Sequence, residues 1–475
     1  MDAVNFSQAT FAGQLAARIV AMDGLALPPE AIYWSKIGLL DTVGVTLAGA
    51  REDCARILGE VLASQGSCVV IGTDTRANAL DAALINGTAA HALDYDNATN
   101  TMFGHASATM MPALLAAAEA YGGCGRDVLV AHIAGFEAGA RIGRAVNLHH
   151  YEIGWHPTST LGVFAVAAAC AKLLKLDVAQ TTTALALATS LASGLKANFG
   201  TMTKPLHSGH CARAGLQAAL LARKGFTANE RTFEHKQGFF NLFNGAGNYD
   251  AARALESWGE PLDIVNPGAC YKQYPCCAST HAPVDAALQL RAQHRFELGD
   301  ITRIDTFTAA RRLAHTNRPD PQTPLDAKFS VQYCVARALV SGGAVFEHFE
   351  GDALADASVR ALLGKVHSSP HAPGQLPGDN TAGAEVRITL RDGRVLAAKV
   401  ERALGRTALN AIPEAGMRDK FRSCARRVLD DSVIEPLLKA VDDFEHAPSV
   451  LPFMAMLITP RGGYREDRNA ARRGF

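Results

Sequence analysis

Between His91 and Ser107 the chain reads HALDYDNATNTMFGHAS, which crowds His91, Asp94, Asp96, Asn97, Thr99, Thr101, His105 and Ser107 into one stretch between two apolar runs. Burying a polar group without a partner costs about 1–3 kcal/mol, so such a segment lies on the surface or lines a wet cavity. The apolar flanks favour the cavity. Further polar islands follow: His156 in GWHPTSTLG, Lys204 and His207 in TKPLHSGH, Lys272 and His281 in YKQYPCCASTH, and Tyr333 in KFSVQY. The excess is cationic or proton-transferring, and no nucleotide-binding loop accompanies it. Lysine and protonated histidine give charge-assisted bonds to carboxylates, and an imidazole or phenol moves a proton near neutral pH. The set fits a small substrate carrying two or three carboxylates.

These residues need elements to hold them. Apolar residues at helical spacing predict helices over residues 7–22, 30–48, 54–64, 79–90, 109–121, 128–146, 161–174, 178–191 and 212–223. The 79–90 helix lacks a polar face, which marks it as buried. Gly135, Gly139 and Gly143 recur every fourth residue in the 128–146 helix, a spacing that permits close helix crossing. Pro205 follows Lys204 and disfavours helical backbone there, so Lys204 and His207 are expected on an irregular loop. His156, directly before a proline and a Thr/Ser cluster, is expected near a helix N-terminus, where backbone N–H groups favour an anion.

The texture changes near residue 267. Residues 301–309 alternate like a strand, and Asp392-Gly393 between alternating runs at 385–390 and 395–400 is a strong hairpin signal. Helices are expected at 283–293, 325–340, 352–363, 413–429 and 432–443. The expected organisation is an all-helical domain over residues 1–266 plus 408–460, a smaller domain over 267–407, and a disordered Arg-rich tail over 461–475.

Composition narrows the function. The 475 residues carry 46 Lys+Arg and 46 Asp+Glu, a net charge of zero, which argues against nucleic acid or an anionic membrane as partner. Ten cysteines without paired metal spacing read as reduced thiols. No uncharged apolar run reaches the roughly 18 residues of a membrane span, and the N-terminus has no secretory pattern; a cytoplasmic protein is expected. An isoprenoid-synthase reading of Asp94-x-Asp96 fails on spacing, because the carboxylates do not share a helical face. A zinc site from His149, His150 and His156 lacks the usual Glu or Cys partners.

The segments HALDYD…GHAS, GWHPTSTLG, TKPLHSGHCARAG, YKQYPCCASTH and NRPDPQTPLDAKFSVQY resemble, in order, the blocks of the MmgE/PrpD family. That family includes 2-methylcitrate dehydratase, cis-aconitate decarboxylase and iminodisuccinate epimerase. The resemblance covers about residues 10 to 445. It implies a mainly α fold: a large all-helical domain with an inserted, smaller α+β lid domain, the active site in the cleft, and a homodimer with neither metal nor organic cofactor. It also implies site residues Asp94, His105, His156, Lys204, Lys272 and Tyr333. The chain departs from the family pattern at Asp96-Asn97-Ala98, where a DDT run is common and Thr99 stands one position late. It departs again at His105-Ala106-Ser107, where HPS is common, and at Cys277, where the decarboxylase has histidine.

The expected activity is that of a lyase, a dehydratase or decarboxylase, working by proton transfer next to a carboxylate. An epimerase of a dicarboxylate and a non-catalytic carboxylate-binding dimer are the alternatives. Charge building on the substrate carboxylate requires cations and a base. Lys204 and Lys272 would supply the charge, and His105, oriented by Asp94, the acid/base. Tyr333 would be a second proton carrier, with His156, His207, Thr99 and His281 binding substrate.

Overall fold

The computed structural model describes residues 10–376 and 382–459. Among the described residues helix accounts for 58% and strand for 8%, a mainly α fold with a smaller α+β part. The chain divides into two compact units, Met1–Gly268 with Met417–Phe475, and Ala269–Gly416. The first break lies two residues beyond the expected start of the smaller domain; the second falls later than residue 408, inside a helix. The 461–475 tail lies outside the described residues.

The larger unit begins with α1 (Phe11–Ala21), whose N-cap Thr10 hydroxyl accepts from the Gly13 amide at 3.1 Å. There follow α2 (Pro29–Gly49), α3 (Asp53–Leu62), α4 (Ala79–Ala92), α5 (Ala106–Tyr121) and α6 (Gly125–Val146). Two single turns, α7 (His149–Glu152) and α8 (Pro157–Thr160), lead into α9 (Gly162–Leu173), α10 (Val178–Leu191), α11 (Thr203–Arg223) and α12 (Phe239–Asn244). In α9 every residue except Lys172 is buried, and α4 is buried nearly all round. Their alanines and glycines make this possible. A Cβ built on Gly135 of α6 would lie 2.5 Å from the Ala165 carbonyl oxygen of α9 and 2.7 Å from Met110 Sδ of α5.

Lys204 and His207 are helical, in the first two turns of α11, and not on a loop. Pro205 sits in the opening turn, where a missing N–H costs no helical hydrogen bond and the fixed φ suits the helix. His156, as expected, immediately precedes a helical turn, α8.

The smaller unit holds α13 (His281–Gln293), α14 (Ala310–Thr316), α15 (Pro324–Lys328), α16 (Val331–Ser341) and α17 (Ala357–Leu363). Its sheet runs, edge to edge, Val366–Pro370, Ile301–Thr308, Ala384–Leu390, Val395–Val400. The first pair is parallel, with Ile304 opposite Val366; the other two pairs are antiparallel, with Ile304 opposite Ile388 and Ile388 opposite Leu396. The hairpin expected at Asp392-Gly393 forms, with Gly393 at φ +88°. Val284, Leu290, Val335 and Leu339 of α13 and α16 share one core with Ile304, Val386 and Ile388 of the sheet. The chain then closes with α18 (Glu414–Ala425), α19 (Asp431–Asp442) and α20 (Leu451–Ala455).

Gly135→Ala should destabilise the protein by about 1–3 kcal/mol, because backbone and a packed methionine must shift. Gly59→Ala, on α3 with nothing within 4 Å of the added Cβ, should stabilise by up to about 1 kcal/mol. Chemical denaturation of both variants checks the contrast. Equal effects would mean that the α5–α6–α9 crossing is not tightly packed.

Candidate active site

The polar stretch is the connection from α4 to α5. Asp94, with φ +53°, and Phe103, with φ +56°, take left-handed backbone that turns the chain twice within it. Thr99 staples the turn from inside: its hydroxyl accepts from Met102 N at 2.9 Å, and its own N–H donates to the Gly104 carbonyl at 2.8 Å. Asn147 donates to the carbonyls of Thr101 and Met102 at 3.1 and 2.9 Å, and His105 N donates to Thr158 Oγ1 at 3.2 Å. The connection is therefore tied to α6 and α8, the elements on either side of it.

Asp96 is the centre of what this scaffold holds. Its carboxylate is fully buried; His91 Nδ1 lies 3.0 Å from both oxygens and His105 Nδ1 lies 2.9 Å from Oδ2. Burial alone would raise the carboxyl, but His105 and His91 outweigh it and hold it well below the usual carboxylate range. Burial pushes His91 down to about 4 in spite of Asp96, so that ring is neutral at pH 7 and its proton sits on Nδ1 facing the carboxylate. The Asp96 oxygen 2.9 Å from His105 Nδ1 favours the Nδ1–H tautomer of that ring and leaves Nε2 as the basic atom. His105 retains 14% side-chain exposure, whereas His91 and Asp96 have none. The orienting carboxylate is thus Asp96 and not Asp94. With Asp94 in the left-handed region the chain reverses, and Asp96 is the residue turned toward the imidazole.

Asp94 instead pairs with Lys204, Nζ to Oδ1 at 2.6 Å, both side chains partly exposed. Lys204 Nζ also stands 5.6 Å from the Phe199 ring centroid. His207, one turn along α11, places Nδ1 3.0 Å from His156 Nδ1. Burial, with His91, Lys204, His105 and His207 nearby, holds His156 well below the ordinary histidine value, and burial lowers His207 as well. The His91 ring stands 4.4 Å from that of His105 and 5.9 Å from that of His156. Asp94, His105, His156, Lys204 and His207 are therefore brought together in the larger unit. Thr99 is buried with its hydroxyl committed to the turn.

Lys272, His281 and Tyr333 belong to the smaller unit. Lys272 is buried, and His281 opens α13 with Nε2 3.4 Å from the Cys276 carbonyl and its ring 5.1 Å from that of Tyr274. Tyr333 is fully buried on α16. Its hydroxyl donates to the His348 carbonyl and accepts from Arg337 Nη2 at 3.1 Å, so it is committed inside its own unit as a packing and anchoring group. His149 and His150 do not join a metal set with His156. They face Asn244, and His150 also reaches Thr160 Oγ1 at 2.8 Å.

Among the described residues, His91, Asp96 and His105 each offer a ligand atom, all within 4.8 Å of one another. The two Nδ1–carboxylate distances of 2.9–3.0 Å are direct contacts of imidazole with carboxylate; a zinc ion, at about 2.0–2.1 Å from each nitrogen, would have to replace those contacts. The arrangement as it stands is a carboxylate shared by two imidazoles, and it can move a proton. His91 is the member that sequence reasoning leaves out. Its position at the end of an otherwise apolar helix, five residues before Asp96, was the available signal.

The MmgE/PrpD N-terminal domain model matches residues 13–252 and the C-terminal domain model residues 274–443, so the chain belongs to the MmgE/PrpD family. It is 30% identical over 436 residues to cis-aconitate decarboxylase of Homo sapiens, covering 88% of each chain. It is 27% identical over 462 residues to cis-aconitate decarboxylase of Aspergillus terreus, covering 91% of this chain and 93% of that one. No described helix is long and apolar enough to cross a membrane.

The buried histidines set a pH dependence of stability. Burial holds His91 and His150 near 4 and His132 near 3, against an ordinary value of 6.5. Between pH 6.5 and about 4 the unfolded chain binds protons that these folded rings refuse, so stability is full above 6.5 and falls on acidification. Each ring contributes up to about 1.4 kcal/mol per pH unit. His132 lies between the hydroxyls of Ser35 and Ser107, at 3.0 and 3.2 Å. His132→Gln should make the slope shallower by about that amount. Denaturant titrations from pH 7 to 4.5 check it, and an unchanged slope contradicts it.

Proposed function

We propose that this protein is a lyase acting on a small tricarboxylate of the cis-aconitate kind, by proton transfer next to a carboxylate. The observation that carries the reading is the partly exposed His105 ring, whose Nδ1 faces the buried Asp96 carboxylate at 2.9 Å. The names of its relatives favour the tricarboxylate.

Loss of a proton or of CO₂ beside a carboxylate leaves an electron pair that spreads onto the remaining carboxylate as an enolate-like charge. A cation aimed at those oxygens stabilises it, and an acid/base aimed at the carbon completes the exchange. Lys204 is the cation, pre-positioned by Asp94 at 2.6 Å. His105 Nε2 takes or returns the proton, while Asp96 balances the imidazolium that forms. His156 and His207, kept neutral by burial, are hydrogen-bond partners for a substrate oxygen, not charges.

Incubation with cis-aconitate and a panel of related di- and tricarboxylates tests the proposal, following CO₂ release and ultraviolet absorbance of unsaturated products. No turnover of any of them would overturn it. His105→Ala should lower kcat by something on the order of 10²–10⁴, and Asp96→Asn should fall in the same range because the tautomer is lost. Lys204→Ala should raise KM and lose some rate. Full activity in His105→Ala contradicts the assignment. So does activity lost to a chelator and restored by a divalent metal, which would make His91, Asp96 and His105 a metal site.

A further inference from the structure

The residues on either side of Asp96 are both gripped by one buried ion pair. Asp41 of α2 and Lys420 of α18 lie with Oδ1 and Nζ 2.7 Å apart, their side chains 0% and 5% exposed. Lys420 Nζ donates to the Tyr95 carbonyl at 2.7 Å and stands 3.8 Å from the centroid of the Tyr95 ring. Asp41 Oδ2 accepts from the Asn97 backbone N–H at 3.0 Å and from Asn97 Nδ2 at 3.1 Å. The carbonyl before Asp96 is thus held by the cation and the amide after it by the anion.

A carboxylate shared by two imidazoles works only while its oxygens stay within hydrogen-bond reach of both. Displacement of the reacting geometry by about 1 Å can cost about 10²-fold in rate. Burying a charge pair is a poor way to gain stability, because desolvation offsets most of the attraction and an apolar replacement serves as well. Here the pair spends its hydrogen bonds on two backbone groups, at Tyr95 and Asn97, that lie outside helix and strand. We propose that Asp41 and Lys420 are positioning residues for the reaction, a two-point clamp that fixes the Asp96 backbone and through it the orientation of His105. The inference rests on the proton-transfer reading of His105 and Asp96, and neither clamp residue touches substrate.

Three variants test it: Lys420→Arg, Lys420→Met, and Asp41→Asn with Lys420→Met, the last removing both charges so that none is buried unpaired. Rates are measured per folded molecule on the substrate that the wild-type protein turns over. The double variant should lose about 10²-fold in kcat with KM changed by less than roughly threefold. Lys420→Arg, which keeps the cation, should recover part of the loss. A second readout needs no activity: at pH 7 the ¹⁵N-histidine spectrum of the folded double variant should show the His91 and His105 rings leaving their wild-type tautomer pattern, while exposed His235 keeps its wild-type signals. A folded double variant with wild-type kcat and an unchanged ring-nitrogen spectrum would overturn the clamp. So would an activity loss fully explained by a smaller folded fraction. Were the wild-type protein inert toward every polycarboxylate, the ring-nitrogen spectra would still decide the clamp, separately from the proposed reaction.

Discussion

A carboxylate with no exposure to solvent is unstable unless hydrogen bonds replace its hydration, and Asp96 meets that demand with two imidazoles. Each ring is fixed by the same contact that satisfies the carboxylate. His91 lies at the end of a helix that is apolar all round, His105 at the start of another, and Asp96 on the connection between them. The site exists because two buried helices leave a gap in which only polar groups can be mutually satisfied. Their small residues then let the surrounding helices come close enough to exclude water from it.

The same constraint explains the division of labour among the cations. Lys204 keeps partial exposure and a partner that is itself partly exposed, so its charge remains available to a ligand. Lys420 is buried and its charge is consumed by Asp41 and a carbonyl. Two lysines in one neighbourhood therefore do different things, and burial with its partners separates them. His156 and His207 illustrate a third outcome: imidazoles lowered by burial, their Nδ1 atoms 3.0 Å apart as neutral donor and acceptor.

Much of this was legible in the residues. The clustered polar stretch, the buried 79–90 helix, the spaced glycines of α6 and the Asp-Gly hairpin all follow from local chemistry, and all appear where expected. The misassignments share a cause, namely that side-chain direction depends on backbone turns that residue types alone do not fix. Asp94 and Asp96 differ by two positions, and only the left-handed φ at Asp94 decides which one meets His105. Pro205 reads as a loop signal unless the helix is known to start just before it. Tyr333 is a phenol like any other until its hydroxyl is found anchored to a carbonyl. Asp41 did carry a signal, an acid in the middle of an apolar run of α2, whereas Lys420 lies in a charged helix where one more cation is unremarked.

The contact between Lys420 and Tyr95 spans 325 residues of sequence, with the whole smaller unit encoded between them. On a ribosome adding about 5–20 residues per second, the connection bearing Asp96 waits something on the order of half a minute for its lysine. During that interval the buried acid of α2 has no counter-ion, and a chain ended by a premature stop anywhere before residue 420 never acquires one. The Asp41–Lys420 pair thus forms only once translation has nearly finished.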